Sequence, residues 1–200
     1  MLGDELNKDA FELADLDKGR CALLVIDVLG DPTALPSPLR EAMLPVVENA
    51  ARLCDAARGA GVPVVFTNDA HIPGLDRELD LWGEHGLAGT PQAQPAPQLK
   101  CGKGDYVVDK RRYSGFFQTG LRLLLDELGV DTLLCIGMDT NICVRHTVAD
   151  AYFNNFRIVV AGDATLTFLV GDQDEGLAYM ETCYAAKVAS TDDVAAFLAS

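Results

Sequence analysis

Basic residues are scarce in this chain: 16 Lys and Arg stand against 30 Asp and Glu, a formal net charge of −14. So acidic a chain argues against nucleic acid and anionic membrane surfaces as partners. No apolar run approaches the roughly 20 residues that span a bilayer. The opening residues, Met-Leu-Gly-Asp-Glu-Leu-Asn-Lys-Asp, are too polar for a secretory leader, so a cytoplasmic location is expected. None of the six cysteines forms a Cys-x-x-Cys pair, and without a secretory context all are expected to be reduced. Internal repeats and low-complexity tracts are lacking too. What is present is 200 residues with 49% hydrophobic and 23% charged content, which suits one globular domain with a sizeable core.

Apolar runs alternate with helical periodicity. Residues 1–19 read as an acidic arm ahead of a domain over 20–200. Strand-like runs lie at 21–28, 62–67, 105–108, 132–136, 157–161 and, more weakly, 187–190. Helical patterns cover 39–59, 116–128, 141–154, 175–186 and 192–198. In the first of them Leu44, Val47, Ala51 and Cys54 form one stripe and Gly59 a stop. Residues 69–103 are irregular and rich in Pro, Gly and Gln, a length usual for functional or disordered loops. Strands apolar throughout, each followed by a helix, predict an α/β fold: a single three-layer domain with a mostly parallel six-stranded sheet flanked by helices.

In such sheets ligands bind beyond the carboxyl ends of the strands. The run Leu-Leu-Cys-Ile-Gly-Met-Asp-Thr-Asn-Ile-Cys-Val, 133–144, puts Cys143 in the first turn of a helix after a buried strand. A helix start favours an anion, so a thiol there can be a low-pKa nucleophile, while the bland alternative is a buried core cysteine. Other strands bring Asp27, Asp69, His71, Lys110 and Asp163 to the same edge. Asp27 can serve as base if burial raises its pKa, and Lys110 can steady the carboxylate and the thiolate. Nearby backbone N–H groups can form an oxyanion hole. Taken singly, Asp27 is equally a strand-end cap, and Lys110 a solvated member of a charge run. Asp69 and His71, at i and i+2 on an extended segment, with the later His85, have the donor types of a zinc-like site or are surface groups. Tyr113 can line a pocket or sit in the core.

Three pieces carry a resemblance: Leu-Leu-Val-Ile-Asp at 23–27, Lys-Arg-Arg-Tyr-Ser-Gly-Phe at 110–116 and Gly-Met-Asp-Thr-Asn-Ile-Cys-Val at 137–144. With them the chain resembles the isochorismatase-like cysteine hydrolases, which include nicotinamidases and related amidases, over nearly everything from residue 20 onward. That resemblance implies a Rossmann-like fold and a triad of Asp27, Lys110 and Cys143. It also implies a cis peptide between Met138 and Asp139 and an oxyanion hole from the N–H groups of Asp139 and Cys143. Asp69, His71 and His85 match the family's metal ligands, and Trp82 and Tyr113 would line the substrate pocket. A divalent metal, zinc by type, is therefore expected, with no organic cofactor. The sequence departs from the family at Pro32, where a substrate-covering Phe is usual, and at Asn141, where Asp is usual.

The implied activity is hydrolysis of a small carboxamide through a thioester acyl-enzyme, with release of ammonia. Carbamoyl or ureido compounds, a vinyl ether, or no catalysis at all are the alternatives. A small-molecule amide substrate and a homo-oligomer, dimer or tetramer, are the expected partners.

Overall fold

The computed structural model describes residues 11–200. Residues 1–10 of the expected arm lie outside them. From Phe11 onward the arm runs in short turns, with Leu16 buried and Phe11 and Leu13 packed against the core.

Six strands alternate with helices: β1 (Cys21–Ile26), α1 (Leu39–Gly59), β2 (Val64–Asp69), α2 (Glu78–Trp82), β3 (Tyr106–Lys110) and α3 (Leu121–Glu127). There follow β4 (Thr132–Met138), a π-helical turn (Thr140–Val144), α4 (Arg145–Phe153), β5 (Arg157–Leu166), α5 (Gln173–Tyr184), β6 (Lys187–Ala189) and α6 (Thr191–Ala199). The sheet order is β3-β2-β1-β4-β5-β6. All five pairings are parallel, so the sheet is wholly rather than mostly parallel.

Period-two alternation sends adjacent residues of β1 to opposite layers. Cys21, Leu23 and Val25 pack with residues of α1 and α6, whereas Ala22, Leu24 and Ile26 pack with residues of α3, α4 and α5. Burial on both faces is why these strands read as unbroken apolar runs. The buried stripe of α1 is Met43, Val46, Val47, Ala50, Leu53, Cys54 and Ala57. Leu44 and Ala51, expected at its centre, lie on its edge and are only partly buried.

Three elements differ from expectation. The third helix begins at Leu121, not 116: the Ser114 hydroxyl takes the Phe116 N–H into a local turn, and Gln118 adopts a φ of +55°. The irregular 69–103 segment contains α2. The cysteine-bearing segment opens with a π-helical turn instead of a first α-helical turn, and α4 starts after Cys143.

Chain order reverses between β1 and β4, which lie side by side at the centre of the sheet. Such a switch point opens a crevice at the strand ends. Gly137 makes the close approach there possible: a Cβ at its φ of +130° would stand 1.9 Å from the Ile26 carbonyl oxygen.

Candidate active site

Four parallel strands deliver their last residues to one floor. Asp27 follows β1 with a φ of +49°, a conformation unusual outside glycine that turns the chain sharply off the strand. Asp69 ends β2 and Lys110 ends β3, in register with each other. β4 leads through Asp139 into the turn that carries Cys143.

Lys110 is the hub, only 1% exposed. Its Nζ lies 2.7 Å from Asp27 Oδ2 and 2.5 Å from Asp69 Oδ1. It is also 3.6 Å from Cys143 Sγ. The Asp69 N–H donates to Asp27 Oδ1 at 2.8 Å, which fixes the carboxylate from its other side. Burial alone would depress the lysine, but Asp27, Cys143 and Asp69 hold it well above its usual value, so it is a cation. Burial, with Asp69 adding to it, pushes Asp27 up to about 6.

The thiol differs from expectation. Burial, reinforced by Asp27 and only partly opposed by Lys110, raises Cys143 well above the usual thiol value. A helix start lowers a thiol pKa only where the charge remains solvated or has a dominant cation, and here two carboxylates share the one lysine. At rest the group is a thiol, and it must lose its proton to become nucleophilic.

The Met138–Asp139 peptide is cis. Asp139 itself is buried and organises the turn: Oδ1 accepts from the Asn141 N–H, and Oδ2 accepts from the N–H groups of Phe168 and Leu169. No hydrogen bond from the Asp139 N–H occurs among the described residues. Asn141 Nδ2 donates to the carbonyls of Val170 and Asp172 and to Thr167 Oγ1, which pins the 167–172 segment. A carboxylate at Asn141 could not donate, which gives the departure at this position a physical reason.

Asp69, His71 and His85 present one ligand atom each, all within 4.8 Å of one another. His71 is fully buried, yet neither ring nitrogen has a hydrogen-bond partner among the described residues. A buried, unsatisfied imidazole beside a carboxylate and a second imidazole fits a divalent ion. His85 lies 2.8 Å from the Gly83 carbonyl through Nδ1, so its Nε2 is the nitrogen left for a ligand role. The loop behind is seated by the bonds of His71 N–H to the Gly86 carbonyl (2.8 Å) and of Ala88 N–H to the His71 carbonyl (3.0 Å).

Two acidic groups here escaped the sequence reading. Glu78 Oε2 stands 3.7 Å from His71 Nε2, and burial raises the carboxyl to about 7. Asp76 lies 3.5 Å from His71 Nδ1 and is clamped by Arg111 and Arg112, with the Arg111 hydrogen bond holding it well below the carboxylate range. Glu78 opens α2, which no sequence periodicity announced, and Asp76 lies in the turn before it.

Above the floor is a cavity of about 630 Å³. Trp82 and Tyr113 both line it, and the indole N–H donates to the Tyr113 hydroxyl at 3.0 Å. Pro32 is buried and outside the lining; Leu29, Leu35 and Leu39 stand on that side, and Phe168 is an aromatic of the wall from another segment. His146 is exposed, with Nδ1 at 2.7 Å from the Ile142 carbonyl, and makes no hydrogen bond to the thiol. Asp163 is not in the site: it accepts from the Thr191 N–H and hydroxyl and so holds the start of α6.

An isochorismatase-domain family model matches residues 21–193. Nicotinamidase 3 of Arabidopsis thaliana is 32% identical over 152 residues, 74% of this chain and 73% of that protein. A ureidoacrylate amidohydrolase of Pseudomonas savastanoi pv. phaseolicola is 31% identical, over 74% of this chain and 71% of its own. The crystal structure of N-carbamoylsarcosine amidase from Thermoplasma acidophilum superposes with a TM-score of 0.78 at 36% identity, covering 86% of this chain and 97% of that one.

Proposed function

Because the chain belongs to the isochorismatase-like cysteine hydrolases, we propose that it is a cysteine-dependent amidohydrolase. It would cleave a small carboxamide through a thioester and release ammonia. The observation that carries this reading is Lys110, whose ammonium touches Asp27 and Asp69 and lies 3.6 Å from the Cys143 sulfur at the floor of the cavity.

Asp27, raised to about 6, is chiefly a carboxylate at neutral pH and still basic enough to take the thiol proton. As the proton leaves, Cys143 Sγ attacks the carboxamide carbon, and the adjacent Lys110 cation stabilises the developing thiolate. The carbonyl oxygen becomes an oxyanion held by the N–H groups of Asp139 and Cys143. Protonated Asp27 returns its proton to the leaving nitrogen, and ammonia departs. Asp27, again a carboxylate, then takes a proton from the water that opens the thioester. The acid product and free thiol result.

Asp69, His71 and His85 would hold a divalent ion, zinc by donor type, with Glu78 beside it. Such an ion supplies Lewis acidity next to the substrate. Trp82 and Tyr113 would position the acyl group. The names of two relatives, an N-carbamoylsarcosine amidase and a ureidoacrylate amidohydrolase, favour carbamoyl or ureido compounds as the second reading. We also propose a homo-oligomer, dimer or tetramer, supported by the exposed aromatic face of Tyr152, Phe153 and Tyr179.

An ammonia-release panel over nicotinamide, simple carboxamides and carbamoyl compounds tests the reading. Cys143→Ala is expected to lower activity on the order of 10,000-fold or more. Undiminished release by that variant rules out the thioester mechanism.

A further inference from the structure

Six carboxyl side chains line the cavity, those of Asp27, Asp31, Asp69, Glu78, Glu84 and Asp139. Asp76 is not among them: it is 3% exposed and faces the other side of the His71 ring. Asp76 Oδ2 stands 3.5 Å from His71 Nδ1, while Asp69 Oδ1 and Glu78 Oε2 stand 3.6 Å and 3.7 Å from Nε2. Both ring nitrogens therefore face carboxylates. A neutral imidazole has one proton to donate, and its other nitrogen keeps the lone pair. Which nitrogen holds the proton decides whether His71 can act as a ligand on the side of Asp69.

The surroundings of Asp76 settle that choice. Its Oδ1 accepts from Arg111 Nη2 at 2.7 Å and from Arg112 Nη1 at 2.9 Å. Its Oδ2 accepts from the Ile72 N–H at 2.7 Å and from Arg111 Nε at 3.0 Å. Two guanidinium groups and a backbone N–H thus hold the carboxylate charged and in one orientation. An ionised carboxylate only accepts, so the oxygen it presents to Nδ1 draws the imidazole proton to that nitrogen. His85 repeats the arrangement, with its Nδ1 at the Gly83 carbonyl and its Nε2 left over.

We propose that Asp76 is a positioning residue for the ion site: it holds His71 with its proton on Nδ1, so that the Nε2 lone pair is turned to the ion that Asp69, His71 and His85 would share. This rests on the metal reading above.

Asp76→Asn tests it. The arginines keep the amide oxygen at the Oδ1 position, which puts the NH2 group, a donor, where Oδ2 faced Nδ1. The His71 proton is then expected on Nε2, on the side the ion would take. Zinc affinity, measured by chelator competition, should fall about 10- to 100-fold. Nitrogen-15 NMR of histidine-labelled, zinc-free protein at alkaline pH, assigned through His85→Gln and His146→Gln, reads the tautomer directly. His71 should carry its proton on Nδ1 in the wild type and on Nε2 in Asp76→Asn. Arg112→Gln leaves Asp76 paired with Arg111 and controls for a role in loop stability alone. It should keep the wild-type tautomer and bind zinc within about threefold of the wild type. Wild-type zinc affinity in Asp76→Asn, or a wild-type His71 protonated on Nε2, overturns the proposal. So does Arg112→Gln weakening zinc as much as Asp76→Asn. If Asp76→Asn does not fold, the wild-type tautomer decides. A wild type that takes up no zinc overturns the metal reading and the proposal with it, while the amidase reading, which none of these measurements uses, is unaffected.

Discussion

Lys110 is the side chain on which most of the site's electrostatics turns. Its ammonium contacts both Asp27 and Asp69, so Lys110→Met leaves two buried carboxylates facing each other. Breaking a buried pair in this way costs about 3–5 kcal/mol. We expect urea denaturation to show a loss of that size, together with loss of activity. Cys143 permits a second residue-scale prediction. Its sulfur is protonated and 7% exposed, whereas Cys54 is fully buried and pushed to about 12, and Cys183 is exposed. Iodoacetamide at pH 8 should therefore label Cys183 first, Cys143 more slowly and Cys54 only after unfolding, as read by peptide mass spectrometry. Equal labelling of Cys143 and Cys54 would favour a catalytically silent protein. Individual residues were legible in the sequence where a strand end announced them: Asp27, Asp69, Lys110 and Cys143 were each found from an apolar run stopping at a polar group. The protonation state of the thiol was not legible, because it depends on how many carboxylates share one lysine.

At the scale of elements, the 167–172 segment is the part most open to alteration. Three hydrogen bonds from Asn141 Nδ2 and two to Asp139 Oδ2 hold it over the cavity. Asn141→Asp turns the donor into an acceptor facing two carbonyls, so each of those contacts becomes repulsive. Hydrogen exchange over 167–172 should speed up, and kcat/KM should drop for substrates that need Phe168 and Leu169, with a smaller change in melting temperature. Strands and long helices were readable from periodicity because burial on both faces leaves little else at those positions. The π-helical turn at 140–144 and the five-residue α2 were not. Each is shorter than the window in which a helical period can be recognised, and each is tied by side-chain hydrogen bonds to distant segments, from Thr140 and Asn141 in the first and from Trp82 in the second. Glu78 and Asp76 were missed for that reason: on a linear reading of 69–103 nothing distinguishes them from other loop acids.

For the whole molecule, the aromatic face formed by α4 and α5 predicts association. Phe153 is 67% exposed and lies against Tyr152 and Tyr184. Sedimentation should give a dimer or tetramer, and Phe153→Glu should shift it toward monomer; a wild-type monomer at all concentrations would contradict this. Dialysis against a chelator should remove activity, and zinc should restore it. The carboxylate-lined cavity has one more consequence, which concerns turnover. Hydrolysis converts a neutral amide into an acid that ionises at neutral pH, so the reaction places a new negative charge among six existing carboxyl groups. Those groups repel the product, whereas a divalent ion held by Asp69, His71 and His85 would retain it. Acid product should therefore bind weakly to the chelated protein and more tightly once zinc is restored, as read by calorimetry.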